Sequence, residues 1–353
     1  MTQLFDPITI RGVEIKNRAW VSPMCQYSAV DGLVGEWHYV HLGGFAIGGA
    51  GLIMAEATGV VPEGRISTGC PGIYNDNQVA AWKPIVAFAH SMGAKIGIQL
   101  AHSGRKGGTN VPWSDHRMAT IEEGGWQAVA PSAIAFEGYP EPRALSVAEI
   151  QELIKSFGVA AKRAIAADFD LIEIHAAHGY LLHEFYSPLS NFRTDEYGGD
   201  FEGRTRLLRE VAAEARSSIP ESTPLFVRIS ASDWSEGGWT IEDSVRLANK
   251  LSKLGVDLID ASSGGNVPNA KIAVGPGYQV PFAAAIRNGA PILTCAVGMI
   301  TDPHQANTIV ESGEADAVML AREILRNPRW PLHAAKVLGV DIKWPVQIER
   351  GKI

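Results

Sequence analysis

The sequence predicts an α/β protein closed as a single (β/α)8 TIM barrel, and three observations point there. Eight short apolar runs, each with few charges, follow one another along the chain as parallel strands buried on both faces would. Stretches of helical period separate them. No Pro- or Ser-rich linker divides the 353 residues, so 1–353 reads as one domain. A doubly wound sheet is the alternative, weakened by the even spacing of eight units and by the lack of an early Gly-x-Gly-x-x-Gly.

Taken in order, residues 4–16 alternate Ile8, Ile10, Val13 and Ile15 around Arg11-Gly12, which predicts a hairpin closing the barrel bottom. The strands are expected at 19–24, 51–60, 95–102, 171–178, 225–231, 258–263, 292–298 and 317–322. The clearest helix, 146–168, places Ile150, Leu153, Ile154, Phe157, Ala161 and Ala164 on one face and opens on the capping box Ser146-Val-Ala-Glu149. Others are expected at 76–93, 201–219, 240–255, 280–288, 302–313 and 327–339. Asp302-Pro303 supplies an N-cap followed by proline, and Gly93, Gly255 and Gly313 stand where left-handed C-terminal residues belong. Residues 105–145 break the repeat as a long irregular insertion after strand three, at the face where a pocket wall belongs.

Composition excludes several classes. The 46% hydrophobic and 20% charged content suits a large core, and a net charge of −7 opposes nucleic-acid binding. Cys25, Cys70 and Cys295 are far apart in sequence, so no disulfide framework and no metal-binding cysteine motif can be drawn. Residues 37–55 carry no formal charge but hold five glycines and two histidines, reading as a buried helix, a turn and a strand rather than a membrane span. A soluble, cytoplasmic protein is expected, with no metal and no membrane partner.

Barrel chemistry gathers at strand C-terminal ends. There the sequence places Ser22-Pro23-Met24-Cys25 and Tyr27, Ala57, Gln99, His175 with His178 and Tyr180, Arg228, Ser262, Gly298, and Ala321-Arg322. Gly298 and Arg322, after strands seven and eight, suit a phosphate group: glycine admits an anion to the backbone and a guanidinium grips it with two donors. The alternative for Arg322 is an ion pair with a helix carboxylate. His175 and His178 lack the further ligands of a metal site and suit donors to a carbonyl oxygen while Tyr180 delivers a proton. Arg228 and Gln99 face the same mouth. With no acidic residue expected at the ends of strands three to six, they call for an acceptor-rich ligand such as an isoalloxazine ring. Cys25, beside Tyr27, is read as touching that ring.

These segments resemble the old yellow enzyme family. The likeness lies in Ser22-Pro-Met-Cys25, Gln99-Leu-Ala-His102, Glu173-Ile-His-Ala-Ala-His-Gly-Tyr180 and Ser190-Asn-Phe-Arg-Thr-Asp-Glu-Tyr-Gly-Gly199. It continues through Phe226-Val-Arg-Ile-Ser-Ala-Ser232, Ala296-Val-Gly-Met-Ile300 and the tail Gln347-Ile-Glu-Arg350. Cys25, Tyr27 and the tail resemble the thermophilic-like bacterial branch, with its NADPH dehydrogenases and xenobiotic reductases. The resemblance implies a tightly bound FMN contacted by Ser22 to Cys25, Ala57, Gln99 and Arg228, its phosphate held by Ser262, Gly298, Ala321 and Arg322. It implies NADPH as hydride donor. Enones, quinones or nitro compounds would be acceptors bound by His175, His178 and Tyr27 and protonated by Tyr180. It further implies a homodimer or homotetramer in which Arg350, on the tail 340–353 and stiffened by Trp344-Pro345, enters the neighbouring active site. The sequence departs from the family at Ala321, usually glycine, and at Ile348, often aromatic. Two rival readings are a tRNA-dihydrouridine synthase, suggested by Gly69-Cys70-Pro71, and a non-catalytic barrel that binds a phosphate ligand.

Overall fold

In the computed structural model, which describes residues 3–352, eight strands pair in parallel and close into a barrel. They are β1 (Ala19–Val21), β2 (Leu52–Gly59), β3 (Lys95–Ala101) and β4 (Leu171–Ala176). The others are β5 (Leu225–Ser230), β6 (Leu258–Ser262), β7 (Leu293–Ala296) and β8 (Ala317–Leu320). Each neighbours its successor, and β8 returns to β1. All eight expected runs form strands, and each stops short at the C-terminal end. In the first, Pro23 has no amide to offer a ladder, and the chain has left the sheet after Val21.

Helices cover the outside: α1 (Glu36–Ile47), α2 (Asp76–Ser91), α3 (Val147–Ala166), α4 (Phe201–Ser217), α5 (Ile241–Ser252), α6 (Val280–Gly289), α7 (Pro303–Glu311) and α8 (Trp330–Val337). The expected caps form. Ser146 Oγ accepts from Glu149 N at 3.3 Å, Asp302 Oδ1 from Gln305 N at 2.9 Å, and Gly93, Gly255 and Gly313 take φ of +69°, +84° and +76°.

Three expectations are corrected. Helix α1 is not buried all round, since Trp37 and Val40 are 57% and 71% exposed; a run without formal charge need not be enclosed. The 327–339 helix starts only at Trp330 and is preceded by a five-residue helix, Arg322–Arg326, because Pro328 and Pro331 interrupt the run. A short helix, Leu181–Tyr186, also follows β4. Among the described residues, no helix is long and apolar enough to cross a membrane.

The hairpin Ile8–Ile10 and Val13–Ile15 pairs Ile8 with Ile15 and plugs the barrel bottom. Its isoleucines pack with Trp20, Met54, Leu171, Phe226, Leu258 and Met319 in one interior cluster. Strand periodicity explains what lies above this plug. Successive residues face opposite sides, so Leu171, Glu173 and His175 share the barrel interior while Ile172 and Ile174 meet the helices. The same alternation runs Phe226, Arg228, Ser230 on β5 and Leu258, Asp260, Ser262 on β6. A dry apolar layer therefore carries a polar one, and the polar one opens at the mouth.

Candidate active site

The polar layer is built around a buried charge cluster. Arg228 Nε lies 3.0 Å from Asp260 Oδ2, and its Nη2 donates to Ser22 Oγ at 3.0 Å. Gln99 Nε2 donates to Glu173 Oε1 at 2.8 Å. The register places His175 beside Arg228 and Arg228 beside Asp260 on adjacent strands, and Gln99 beside Glu173. This corrects the expectation that Arg228 and Gln99 lack acidic neighbours. Glu173 and Asp260 lie inside β4 and β6 rather than at their ends, two residues below the mouth, where alternation turns them inward. Burial, and then the charge of Asp260, push the Glu173 carboxyl up; burial raises Asp260 as well. The second oxygen of Glu173 has no hydrogen-bond partner among the described residues.

Above this cluster His175, His178 and Tyr180 converge. The ring of His175 lies 5.3 Å from that of His178 and 5.1 Å from that of Tyr180, edge to face in both cases. His178 has φ of +60°, in the left-handed region, a conformation uncommon for a residue with a side chain. It is held by its amide, which donates to Ser230 Oγ at 2.9 Å, and by its ring Nε2, 2.7 Å from Ser262 Oγ. Burial, reinforced by the nearby Arg228 charge, pulls both imidazoles well below the usual histidine range, so they are neutral near pH 7. Burial pushes the Tyr180 phenol well above its usual range, keeping its proton in place.

Several supporting residues carried no sequence signal beyond their position. Lys106, from the turn after β3, donates to the carbonyl oxygens of His178 and, at 3.0 Å, Gly265, and its Nζ lies 4.7 Å from the centre of the Tyr180 ring. Burial pulls this amine down to about 8. Gly179 N donates to His183 Nδ1 at 2.9 Å, and His183 Nε2 meets Asp233 Oδ1 at 2.8 Å, both side chains fully buried. This pair anchors the turn that carries Tyr180.

Tyr27 has φ of +53°, touches the edge of Trp113 and shares a small cluster with Cys25, Cys70, Ala57 and Tyr180. Cys70 corrects a reading based on spacing alone: the fold brings its thiol to Cys25, although 45 positions separate them in the chain. A shared hydrogen bond, then burial, raises the Cys25 thiol, while the same bond lowers Cys70. Residues 105–145 are irregular as expected, with two-residue strands Val129–Ala130 and Arg143–Ala144, and they bring Trp113 and Phe136 to the mouth.

Beside the mouth, a separate cleft is lined by Tyr278, Gln279, Gly298, Met299, Ala321 and Arg322. Gly298 has φ of +127°, and a Cβ there would come within 3.0 Å of the Gln279 side chain. Arg322 is exposed and makes no ion pair among the described residues; Glu323 pairs with Arg326 instead. The helix-carboxylate alternative for Arg322 is therefore not what the fold builds. Ser262 Oγ lies 2.7 Å from His178 Nε2 and 3.4 Å from Oε1 of Gln279, which lines this cleft. Arg350 sits on the exposed turn Glu349–Gly351. The preceding Trp344 to Gln347 line a cleft with Asn17, Gly49 and Gly93, beside the strand starts and far from the mouth.

Residues 3–340 match the model of the NADH:flavin oxidoreductase / NADH oxidase family. The chain belongs to this family. An NADPH dehydrogenase of Geobacillus thermodenitrificans is 50% identical, over 99% of this chain and 98% of its own. Morphinone reductase, solved with tetrahydroNAD, is 28% identical with a TM-score of 0.80, over 98% of this chain and 93% of that one. The old yellow enzyme homologue of Zymomonas mobilis is 30% identical with a TM-score of 0.78, over 98% and 95%. The resemblance to old yellow enzymes thus holds, and the protein is a flavin oxidoreductase whose cofactor is FMN. The strand-end residues fit that group. Arg322, which makes no ion pair among the described residues, and the backbone opened by Gly298 suit its phosphate, while Ser22, Gln99 and Arg228 offer donors to a ring rich in acceptors.

Proposed function

We propose that this oxidoreductase reduces the activated carbon–carbon double bond of α,β-unsaturated carbonyl compounds with electrons from NADPH. The arrangement of His175, His178 and Tyr180 carries the reading: two neutral donors and one phenol that keeps its proton, gathered at one mouth. The name of the Geobacillus relative supports NADPH as donor. Quinones and nitro compounds share the electron-poor character that such a site favours.

When bound, FMN would supply the redox chemistry, hydride transfer between the nicotinamide and the acceptor carbon. Ser22, Pro23, Met24, Cys25, Ala57, Gln99 and Arg228 would hold its ring, and Ser262, Gly298, Ala321 and Arg322 its phosphate. The N–H groups of His175 and His178 bind the substrate carbonyl oxygen and stabilise the charge that grows there. Tyr27 adds a third hydrogen bond. The Tyr180 hydroxyl gives its proton to the α-carbon, and Lys106, close to that ring, stabilises the phenolate left behind. Purified protein should be yellow and release about one FMN per chain on denaturation. A colourless folded preparation that cannot be reconstituted with FMN sinks this reading.

Arg350 stands on an exposed turn just after the segment that lines the cleft beside the strand starts, which favours delivery to a neighbouring copy in a dimer or a tetramer of dimers. Deleting residues 347–353 should raise KM for enones while FMN stays bound. A monomer in sedimentation at micromolar concentration, or unchanged kinetics after the deletion, contradicts the shared site.

A further inference from the structure

Three side chains on separate segments converge behind the mouth: Cys25 after β1, Glu56 on β2 and Cys70 on the loop that follows. Their two sulfurs and one carboxylate oxygen all lie within 4.8 Å of one another. Cys70 is fully buried and Glu56 is 3% exposed, while Cys25 is half-buried and opens toward Tyr27 and Tyr180. The surroundings hold the group in place. Glu56 Oε2 accepts from Gln26 N at 2.9 Å, and Ala29 N donates to Gly69 O at 2.8 Å, tying the segment after Cys25 to the loop of Cys70. Ser67 Oγ stands 3.3 Å from Cys70 Sγ. His38 is buried and takes Gly35 N on its Nδ1 at 3.2 Å, so its proton sits on Nε2, 3.3 Å from Glu56 Oε1 and without a well-aligned acceptor.

We infer that Cys25, Cys70 and Glu56 form a binding site for a soft divalent cation of the zinc or cadmium type, with its fourth position open to the mouth. Two thiolates select such ions over magnesium or calcium, which prefer oxygen ligands throughout. Metal–sulfur bonds of about 2.3 Å and metal–oxygen bonds of about 2.0–2.2 Å place tetrahedral ligand atoms within 4 Å of each other, so rotation of the side chains closes the set. Binding displaces the two thiol protons to solvent and leaves both sulfurs as thiolates. Nothing is oxidised or reduced. His38, whose Nε2 lies 3.3 Å from Glu56 Oε1, stands where a small rotation lets it hold the carboxylate from outside, as such partners do in metal sites. The open fourth position of an ion held there faces Tyr27 and Tyr180, where the enone would sit, so metal and enone exclude one another; that consequence, unlike the binding itself, rests on the reductase reading.

The test is a Cd2+ titration of the FMN-loaded protein with its thiols kept reduced. A thiolate-to-cadmium absorption band should grow in the ultraviolet difference spectrum and saturate at one ion per chain. Bound Cd2+ should protect Cys25 from iodoacetamide in peptide mapping, and Mg2+ should do neither. Cys70→Ser should abolish the band, His38→Gln should weaken binding about 10- to 100-fold, and Cys295→Ala, altered in the bottom layer, should leave it intact. No band in the wild type, no protection of Cys25, or a band that survives Cys70→Ser overturns the site. Full cadmium occupancy with undiminished enone turnover overturns the mutual exclusion, whereas protein without flavin activity that still shows the band speaks against the reductase reading alone.

Discussion

Tyr180→Phe is expected to leave reduction of the bound flavin by NADPH unchanged and to slow reduction of cyclohexenone about 10²- to 10⁴-fold, the usual worth of a positioned general acid. Only the second half of the cycle puts a proton on carbon. The phenol keeps its proton because burial disfavours the phenolate, and it is aimed by its neighbours: His175 against its ring, Lys106 over its face, and the His183–Asp233 pair beneath the turn that carries it. Phenylalanine preserves that packing and removes only the hydroxyl. Stopped-flow measurement of each half-reaction separates the two steps. An unchanged rate of flavin reoxidation by cyclohexenone would mean that water or another group supplies the proton. His178→Ala behaves differently, weakening carbonyl binding as well as rate, because it removes a donor to the oxygen and leaves the Ser262 hydroxyl only its longer bond to Gln279 Oε1.

Arg228→Met is expected to destabilise the fold by about 3–5 kcal/mol, the usual cost of removing one member of a buried ion pair. The loss exceeds that of a surface pair because Asp260, fully buried, and Glu173 would be left without a cation between them. The cost has a sign in pH. Without Arg228 the two carboxyls remain protonated in the folded chain at pH values where they are ionised in the unfolded chain. Unfolding then releases protons, and stability falls as pH rises above the ordinary carboxylate range. Urea unfolding at pH 5 and pH 8 measures this: the deficit relative to wild type should be larger at pH 8. Arg228→Lys, which keeps the charge and loses the fork, should recover part of the stability. A deficit independent of pH would place the damage in packing alone.

What could be read from the residues divides along physical lines. The strands announced themselves because parallel strands buried on both faces need apolar runs, and the helices because caps such as Ser146 and Asp302 are local. His175, His178, Tyr180 and Arg228 stood out because charged or polar residues at the end of such a run have no other explanation. Asp260 and Glu173 escaped because each sits within its apolar run, where position in the alternation, not composition, turns it inward. Cys70 escaped for a different reason. Its nearness to Cys25 depends on the path of the loop after β2, and no local periodicity encodes that path. The exposed face of α1 was hidden by the lack of formal charge over 37–55, and the place of Arg350 depends on how the tail lies across the strand starts.

The two-storey interior has a consequence for how this protein can diverge. Within β4, β5 and β6 one residue serves the apolar plug and the next but one serves chemistry, so the spacing between them is fixed by the pleat. Inserting or deleting a single residue in 171–176 would turn Glu173 and His175 toward the helices and bring Ile172 and Ile174 inside, so that fold and catalysis fail together. Segment 105–145 obeys no such parity. Changes of length there move Trp113 and Phe136 without shifting any strand, so new substrate ranges are open to lineages through gain and loss of residues in that one wall, while the barrel interior is confined to substitution.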